Sequence, residues 1–113
     1  MRIGFTAQGP AWDADIDARF GRAKYLLVYD EEKDELLVHD NTGMSEQQHG
    51  AGPGTASKLF ELNVNVLITG NGPGSNAAGL LEKAGVKIYT GAGELNVKEA
   101  YEHYKNKKLY NFI

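Results

Sequence analysis

Hydrophobic residues follow a strand-like pattern in the first third of the chain. Three segments, at residues 2–8, 24–30 and 35–41, alternate apolar and polar positions or are rich in β-branched and aromatic residues. Each is predicted to be a β-strand. A short polar turn at residues 31–34 joins the second segment to the third, which predicts an antiparallel hairpin.

After residue 54 the apolar positions recur with a helical period. This predicts helices at about residues 54–62, 75–84 and 97–107, and two further strands at 64–69 and 86–90. The inward faces of the first two helices are predicted to hold Ala56, Leu59, Phe60 and Asn63, then Ala77, Leu80, Leu81 and Ala84. Asn96 is the expected N-cap of the third helix.

The predicted order β-β-β-α-β-α-β-α is typical of an α/β protein with a mixed five-stranded sheet flanked by helices. Right-handed crossovers would place the starts of the first two helices at the carboxyl edge of the sheet, where such folds bind ligands. Residues 42–51 lack periodicity and are predicted to form a mobile loop facing the same cleft as the turn at 70–75.

Length and composition predict one cytoplasmic domain spanning residues 1–113. The chain has no apolar run long enough to cross a bilayer and no signal-peptide pattern. Its formal net charge of −3 argues against nucleic-acid binding, which needs a basic surface. The chain contains no cysteine, so a metal cluster cannot be held by thiolates of this protein.

A short Gly-Pro-Gly motif occurs twice, about twenty residues apart. Gly52-Pro53-Gly54-Thr55 and Gly72-Pro73-Gly74-Ser75 each stand at a predicted helix start. Helix N-termini attract anions through free amides and the helix dipole, so both motifs are candidate anion sites. The alternative is that both are tight structural turns that bind no ligand. Neither motif fits a Walker A loop or a dinucleotide-binding fingerprint. The candidate anion-binding residues are Gly50, Gly52, Gly54, Thr55, Asn71, Gly72, Gly74 and Ser75.

Three charged or metal-binding side chains are further candidates for contact with the ligand. Arg19 and Arg22 are candidate donors to an anion, or else ordinary surface charges. His49 directly precedes the first glycine-rich segment and is the candidate metal ligand, since imidazole binds iron; the alternative is a surface histidine.

Catalysis finds little support in the sequence. No nucleophile elbow or serine–histidine–aspartate spacing is present. The first strand also carries no acidic residue of the kind that would hold magnesium in a nuclease. A hydrolase is therefore the least favoured class, and a non-catalytic role is expected.

Several short motifs together resemble the dinitrogenase iron–molybdenum cofactor biosynthesis family, which includes NifX, NafY and the C-terminal part of NifB. The matching segments, spread over essentially the whole chain, are residues 3–5, 20–23 with a strand ending at 29–30, 49–52, 67–74, 85–89 and 97–100. In the family pattern a histidine commonly precedes Phe-Gly-Arg, and this chain has Arg19 there.

The resemblance implies a ribonuclease H-like fold and binding or carriage of iron–molybdenum cofactor, its precursor or an iron–sulfur cluster. The cofactor would be a transient ligand rather than a permanent one, with cluster-assembly proteins as possible partners and no nucleic acid or membrane involved. The alternative from another class is an interaction or regulatory module that recognises a phosphorylated small molecule or a protein.

Overall fold

The computed structural model describes residues 1–45 and 50–112. In chain order the strands and helices are β1 (Arg2–Ala7), β2 (Tyr25–Asp30), β3 (Glu35–Asp40), α1 (Thr42–Ser45), α2 (Ala51–Glu61), β4 (Val66–Ile68), α3 (Ser75–Lys83), β5 (Lys87–Thr90), α4 (Val97–Lys105) and β6 (Tyr110–Asn111).

The strands form a six-stranded mixed sheet in the order β3-β2-β1-β4-β5-β6. β1, β4 and β5 are parallel, whereas β2, β3 and β6 run antiparallel to their neighbours. The predicted hairpin and helix–strand alternation are confirmed, but the predicted count of five strands is wrong. β6 has only two residues, too few for any hydrophobic period to appear in the sequence.

Helices cover both faces of the sheet. On one face, Ala56 and Leu59 of α2 and Ala77 and Leu81 of α3 pack in one core cluster with residues of the sheet. On the other face, Val97 and Ala100 of α4 pack with a second set of strand residues. The central strands β1 and β4 are therefore buried on both sides, as the continuous apolar run of β4 indicates.

Four of the residues predicted to face inward on the first two helices are exposed instead. Phe60 is 64% exposed and Leu80 is 45% exposed, and Asn63 and Ala84 are also exposed. The two helices pack against each other and on the sheet through a narrow stripe of buried residues, Ala56 and Leu59 on α2 and Ala77 and Leu81 on α3. Phe60 and Leu80 lie outside that stripe and line an open groove with Ser57 and Lys83.

The region between β3 and β4 also differs from the prediction. Residues 42–45, expected to be loop, form the short helix α1. Asp40 precedes this helix, and its carboxylate accepts hydrogen bonds from the Thr42 amide (2.9 Å) and hydroxyl (2.6 Å). The same hydroxyl and amide hold the pKa of Asp40 below its usual value. α2 then begins at Ala51, three residues before the predicted start.

Trp12 folds back over the sheet. Its ring packs edge-to-face on Tyr29 with centroids 5.0 Å apart and lies 6.2 Å from Phe5. Tyr101 of α4 completes this aromatic cluster. Burial and a hydrogen bond to Glu31 raise the pKa of Tyr101, so its phenol stays protonated as a donor.

The N-terminus of α4 is closed by a capping box, which confirms Asn96 as its N-cap. The Asn96 side chain accepts from the Glu99 amide (2.8 Å), and the Glu99 carboxylate accepts from the Asn96 amide (3.0 Å).

We expect Asn96→Ala to lower the free energy of unfolding by about 1 kcal/mol, because a helix amide loses its acceptor. Urea unfolding followed by circular dichroism measures the change. Asn96→Asp is the matched control and should retain most of the stability, since aspartate caps equally well. Equal losses in both variants would contradict the capping explanation.

Candidate functional site

The carboxyl ends of the three parallel strands form one edge of the sheet, which we call the rim. α3 and α4 follow β4 and β5 at this edge, and α2 runs back along the sheet to enter β4 at the opposite edge. All three helix N-termini therefore lie at the rim. The first turns of α2 and α3 touch, because a Cβ added at Gly52 would lie 3.7 Å from the Ala77 Cβ.

The N-terminus of α4 is fully satisfied by the protein itself. The first three amides of a helix have no intrahelical acceptor. At α4 the Val97 amide donates to the Ala14 carbonyl, the Lys98 amide to the Trp12 carbonyl, each at 2.9 Å, and the Glu99 amide to the Asn96 side chain. This helix start has no donor left for a ligand.

The N-terminus of α3 is open by comparison. Its N-cap is Gly74, which has no side chain to cap the helix, and its first amides belong to Ser75, Asn76 and Ala77. Among the described residues, none supplies an acceptor for these three amides. Gly74 and Ser75 are exposed, and a Cβ at Gly74 would meet nothing within 4 Å. Three unpaired amides therefore lie at the rim with the positive end of the helix dipole, those of Ser75 and Asn76 on exposed residues and that of Ala77 on a buried one.

The N-terminus of α2 is built differently. Gly50 is its N-cap, with a left-handed backbone (φ 80°) that glycine adopts without strain. The Gly54 amide already bonds to the Gly50 carbonyl at 2.9 Å, and Pro53 has no amide hydrogen. Of the first amides of α2, those of Ala51 and Gly52 have no acceptor within residues 1–45 and 50–112. Gly21 packs so closely that a Cβ on it would lie 2.8 Å from the Gly52 nitrogen.

The two Gly-Pro-Gly motifs are therefore not equivalent in the structure, although they look alike in the sequence. The first lies inside the opening turn of α2, while the second precedes α3 and ends at its N-cap. The difference arises at Gly50, whose left-handed backbone makes it the N-cap of α2, so that the helix begins before the motif ends. Pro53 is tolerated there because proline fits the first turn of a helix. α3 is thus the more open of the two helix starts.

A segment at residues 16–19 lies across the rim and is tied to two strand ends. The Thr6 hydroxyl donates to the Asp17 carbonyl (2.8 Å), so the Thr69 hydroxyl, 2.7 Å away, donates to Thr6. The Asn71 amide donates to the Ala18 carbonyl at 2.9 Å. This buried network was not predicted from the sequence. The feature that could have indicated it is the pair of threonines, one at the end of each of the parallel strands β1 and β4.

Arg19 lies in this segment beside the loop that leads to α3. Its side chain is 64% exposed, and its guanidinium lies 3.3 Å from the buried carboxylate of Asp17. Its charge is thus partly offset, and the anion it would bind must compete with Asp17. Arg22 is half-buried and follows Gly21, which packs on the start of α2. The structure brings both arginines to the rim, at different helix starts.

Two of the candidate residues face away from the rim. Gly54 packs against the Met44 side chain of α1. Thr55 is fully buried, and its hydroxyl accepts a hydrogen bond from the Asn41 side chain at 3.2 Å. The interpretation of these two residues as ligand contacts is corrected here, because α1 and β3 already occupy the side of α2 on which they lie.

The remaining candidates fall into two groups. Asn71, Gly72, Gly74 and Ser75 lead into α3, while Gly50 and Gly52 open α2. His49, the predicted metal ligand, lies outside the described residues. Within residues 1–45 and 50–112, no cluster of three or more histidine, aspartate or glutamate side chains is arranged to hold a metal ion. None of the helices in the same ranges is long and apolar enough to span a membrane.

The mixed sheet with helices on both faces defines an α/β protein whose helix starts meet at the rim. A family model described as "dinitrogenase iron–molybdenum cofactor" matches residues 1–107. The chain therefore belongs to the dinitrogenase iron–molybdenum cofactor family, as its motifs indicated.

Solved structures support the same assignment. The orange protein from Desulfovibrio gigas, in its apo form, shares 33% identity with the chain and superposes with a TM-score of 0.91, over 97% of this chain and 91% of the other. A putative NifB protein from Thermotoga also shares 33% identity, with a TM-score of 0.83 over the same shares. No curated protein is significantly similar to the chain.

We expect Thr55→Val to lower the free energy of unfolding by about 1–3 kcal/mol, because it leaves a buried amide hydrogen of Asn41 unpaired. Thr55→Ser keeps the hydroxyl and should recover much of this loss. Urea unfolding of the three proteins gives the comparison. A valine variant as stable as the wild type would show that this hydrogen bond contributes nothing.

Proposed function

We propose that residues 1–113 form one cytoplasmic domain that binds and carries an anionic metal cofactor without catalysing a reaction. The ligand is iron–molybdenum cofactor, its precursor or an iron–sulfur cluster, exchanged with cluster-assembly proteins. The family supports the ligand class, and the open N-terminus of α3 supports the place. The sheet order is consistent with a ribonuclease H-like arrangement extended by a sixth strand.

The contrast between α3 and α4 is the observation that carries the proposal. Both helices begin at the rim and have the same length, yet α4 has an internal acceptor for each of its first three amides. At α3 the first three amides have no acceptor among the described residues, and those of Ser75 and Asn76 belong to exposed residues, near the segment at 17–19 that carries the exposed Arg19 side chain. An anion placed there would receive several hydrogen bonds and the favourable end of a helix dipole.

The composition of the chain indicates a transient ligand. Since the chain has no cysteine, iron or molybdenum in the cluster cannot bond to a thiolate of this protein. Amide and guanidinium hydrogen bonds to the sulfide and carboxylate groups of a cluster exchange readily with water. A protein that delivers its ligand to another protein needs binding of this reversible kind.

We expect Gly74→Asp to weaken binding of isolated iron–molybdenum cofactor about tenfold, equivalent to about 1.4 kcal/mol. Gly74 has the extended backbone of an N-cap (φ −63°, ψ 168°) with free space around it. The new carboxylate would therefore accept from the α3 amides and repel the anion. An anaerobic titration followed by visible absorbance measures the affinity.

Gly79→Asp is the matched control for charge. It adds the same carboxylate to an exposed glycine within α3, where a Cβ would also meet nothing within 4 Å. We expect its affinity to stay within twofold of the wild type. Equal weakening in both variants would assign the effect to net charge and remove α3 as the site.

We further propose His49 as a metal donor, because it directly precedes the N-cap of α2 at the rim. His49→Ala should reduce the visible colour retained after anaerobic gel filtration with iron–molybdenum cofactor. His103→Ala, on α4, is the histidine control and should retain the colour of the wild type. If His49→Ala keeps the full colour, His49 is not a ligand, whatever the result at Gly74.

A further inference from the structure

Residues 109–112 form an extended segment, here called the strap, that crosses the edge of β5. Within it, β6 pairs antiparallel with β5, and the Phe112 amide donates to the Ile88 carbonyl at 2.7 Å. The family model matches residues 1–107, so the strap lies beyond the matched part of the chain. None of the strap residues was a candidate in the sequence analysis.

Two aromatic rings of the strap rest directly on glycines of the rim. A Cβ at Gly72 would lie 2.5 Å from a ring carbon of Phe112, and a Cβ at Gly91 would lie 2.7 Å from a ring carbon of Tyr110. Each ring thus occupies the space that a side chain on its glycine would need. Both rings also keep an exposed part, with 43% of Phe112 and 74% of Tyr110 accessible.

Gly72 belongs to the segment that sets the start of α3. The loop is anchored before it, where the Asn71 amide bonds to the Ala18 carbonyl and the Gly70 carbonyl accepts from the Gly91 amide at 3.0 Å. The helix itself begins after Gly74. Between these anchors lie two glycines, the residues with the greatest backbone freedom, separated by Pro73. The Phe112 ring restrains the first of them.

We propose that Phe112 is a positioning residue for the anion site. By packing on Gly72 it holds the loop that leads to Gly74, and so keeps the first amides of α3 in the orientation that binds the ligand. The inference rests on the proposed function, because α3 is the site it supports. Phe112 acts through the backbone and need not touch the ligand.

Tyr110 provides an internal control. It makes the same kind of ring-on-glycine contact from the same strap, but Gly91 leads to α4, whose N-terminal amides are all occupied. Loss of the Tyr110 ring should therefore affect stability without affecting an anion bound at α3. A structural role of the strap as a whole would affect both variants alike.

The experiment compares Phe112→Ala with Tyr110→Ala. Each variant is titrated anaerobically with isolated iron–molybdenum cofactor, and its stability is measured by urea unfolding. We expect Phe112→Ala to weaken binding three- to tenfold and Tyr110→Ala to change it less than twofold. Phe112→Tyr, which keeps a ring on Gly72, should restore binding to within twofold of the wild type. Unchanged binding in Phe112→Ala, or an equal loss in Tyr110→Ala, would overturn the proposal.

Gly72→Ala tests the same contact from the other side. Its methyl group displaces the Phe112 ring, so it should weaken binding as much as Phe112→Ala does. The double variant should bind no more weakly than either single variant, because both changes break one contact. Additive losses would show that the two residues act independently and would also overturn the proposal.

A second measurement separates this inference from the proposed function. The Ala78 amide donates to the Gly74 carbonyl at 2.9 Å and reports on the α3 start without any ligand. Its hydrogen exchange should be at least threefold faster in Phe112→Ala and unchanged in Tyr110→Ala. If wild-type protein binds no cofactor, the proposed function fails while this exchange difference still supports or rejects positioning by Phe112.

Discussion

Hydrogen-bond satisfaction at the starts of three helices is the constraint on which the rest of this structure depends. A helix cannot satisfy its own first amides, so an acceptor must come from the chain, from water or from a ligand. At α4 the acceptors are the Ala14 and Trp12 carbonyls and the Asn96 side chain. At α3 the described residues provide none. One edge of one sheet therefore carries a closed helix start and an open one.

The segment between β1 and β2 creates much of this difference. Its first part supplies the two carbonyls that close α4. Its later part lies across the loop before α3, held by the buried hydroxyls of Thr6 and Thr69 and by the Ala18 carbonyl. It thus fixes the position of that loop without covering the α3 amides. The same segment carries Arg19 to the side of the α3 start and Gly21 to the start of α2.

Much of the fold could be predicted from the sequence, because long apolar patterns report burial directly. The hairpin, the three long helices and the Asn96 cap follow from periodicity and capping preference. β6 could not be predicted, since two residues carry no period. The site was predicted less well: Gly54 and Thr55 looked like ligand contacts, yet Gly54 packs on Met44 of α1 and Thr55 bonds to Asn41. The residues that form α1 show no helical period, so these contacts could not be predicted. The role of Phe112 depends on a contact between residues 40 positions apart.

The geometry of the rim also bears on how tightly such a site can hold its ligand. Hydrogen bonds to a charged group contribute about 1.5–3 kcal/mol each, so three amides would supply about 4.5–9 kcal/mol. That range corresponds to dissociation constants from about 0.5 mM to about 0.3 μM before any cost of association. Thiolate ligation would add much stronger metal bonds, but the chain has no cysteine. An open α3 start is therefore consistent with the proposed transient ligand.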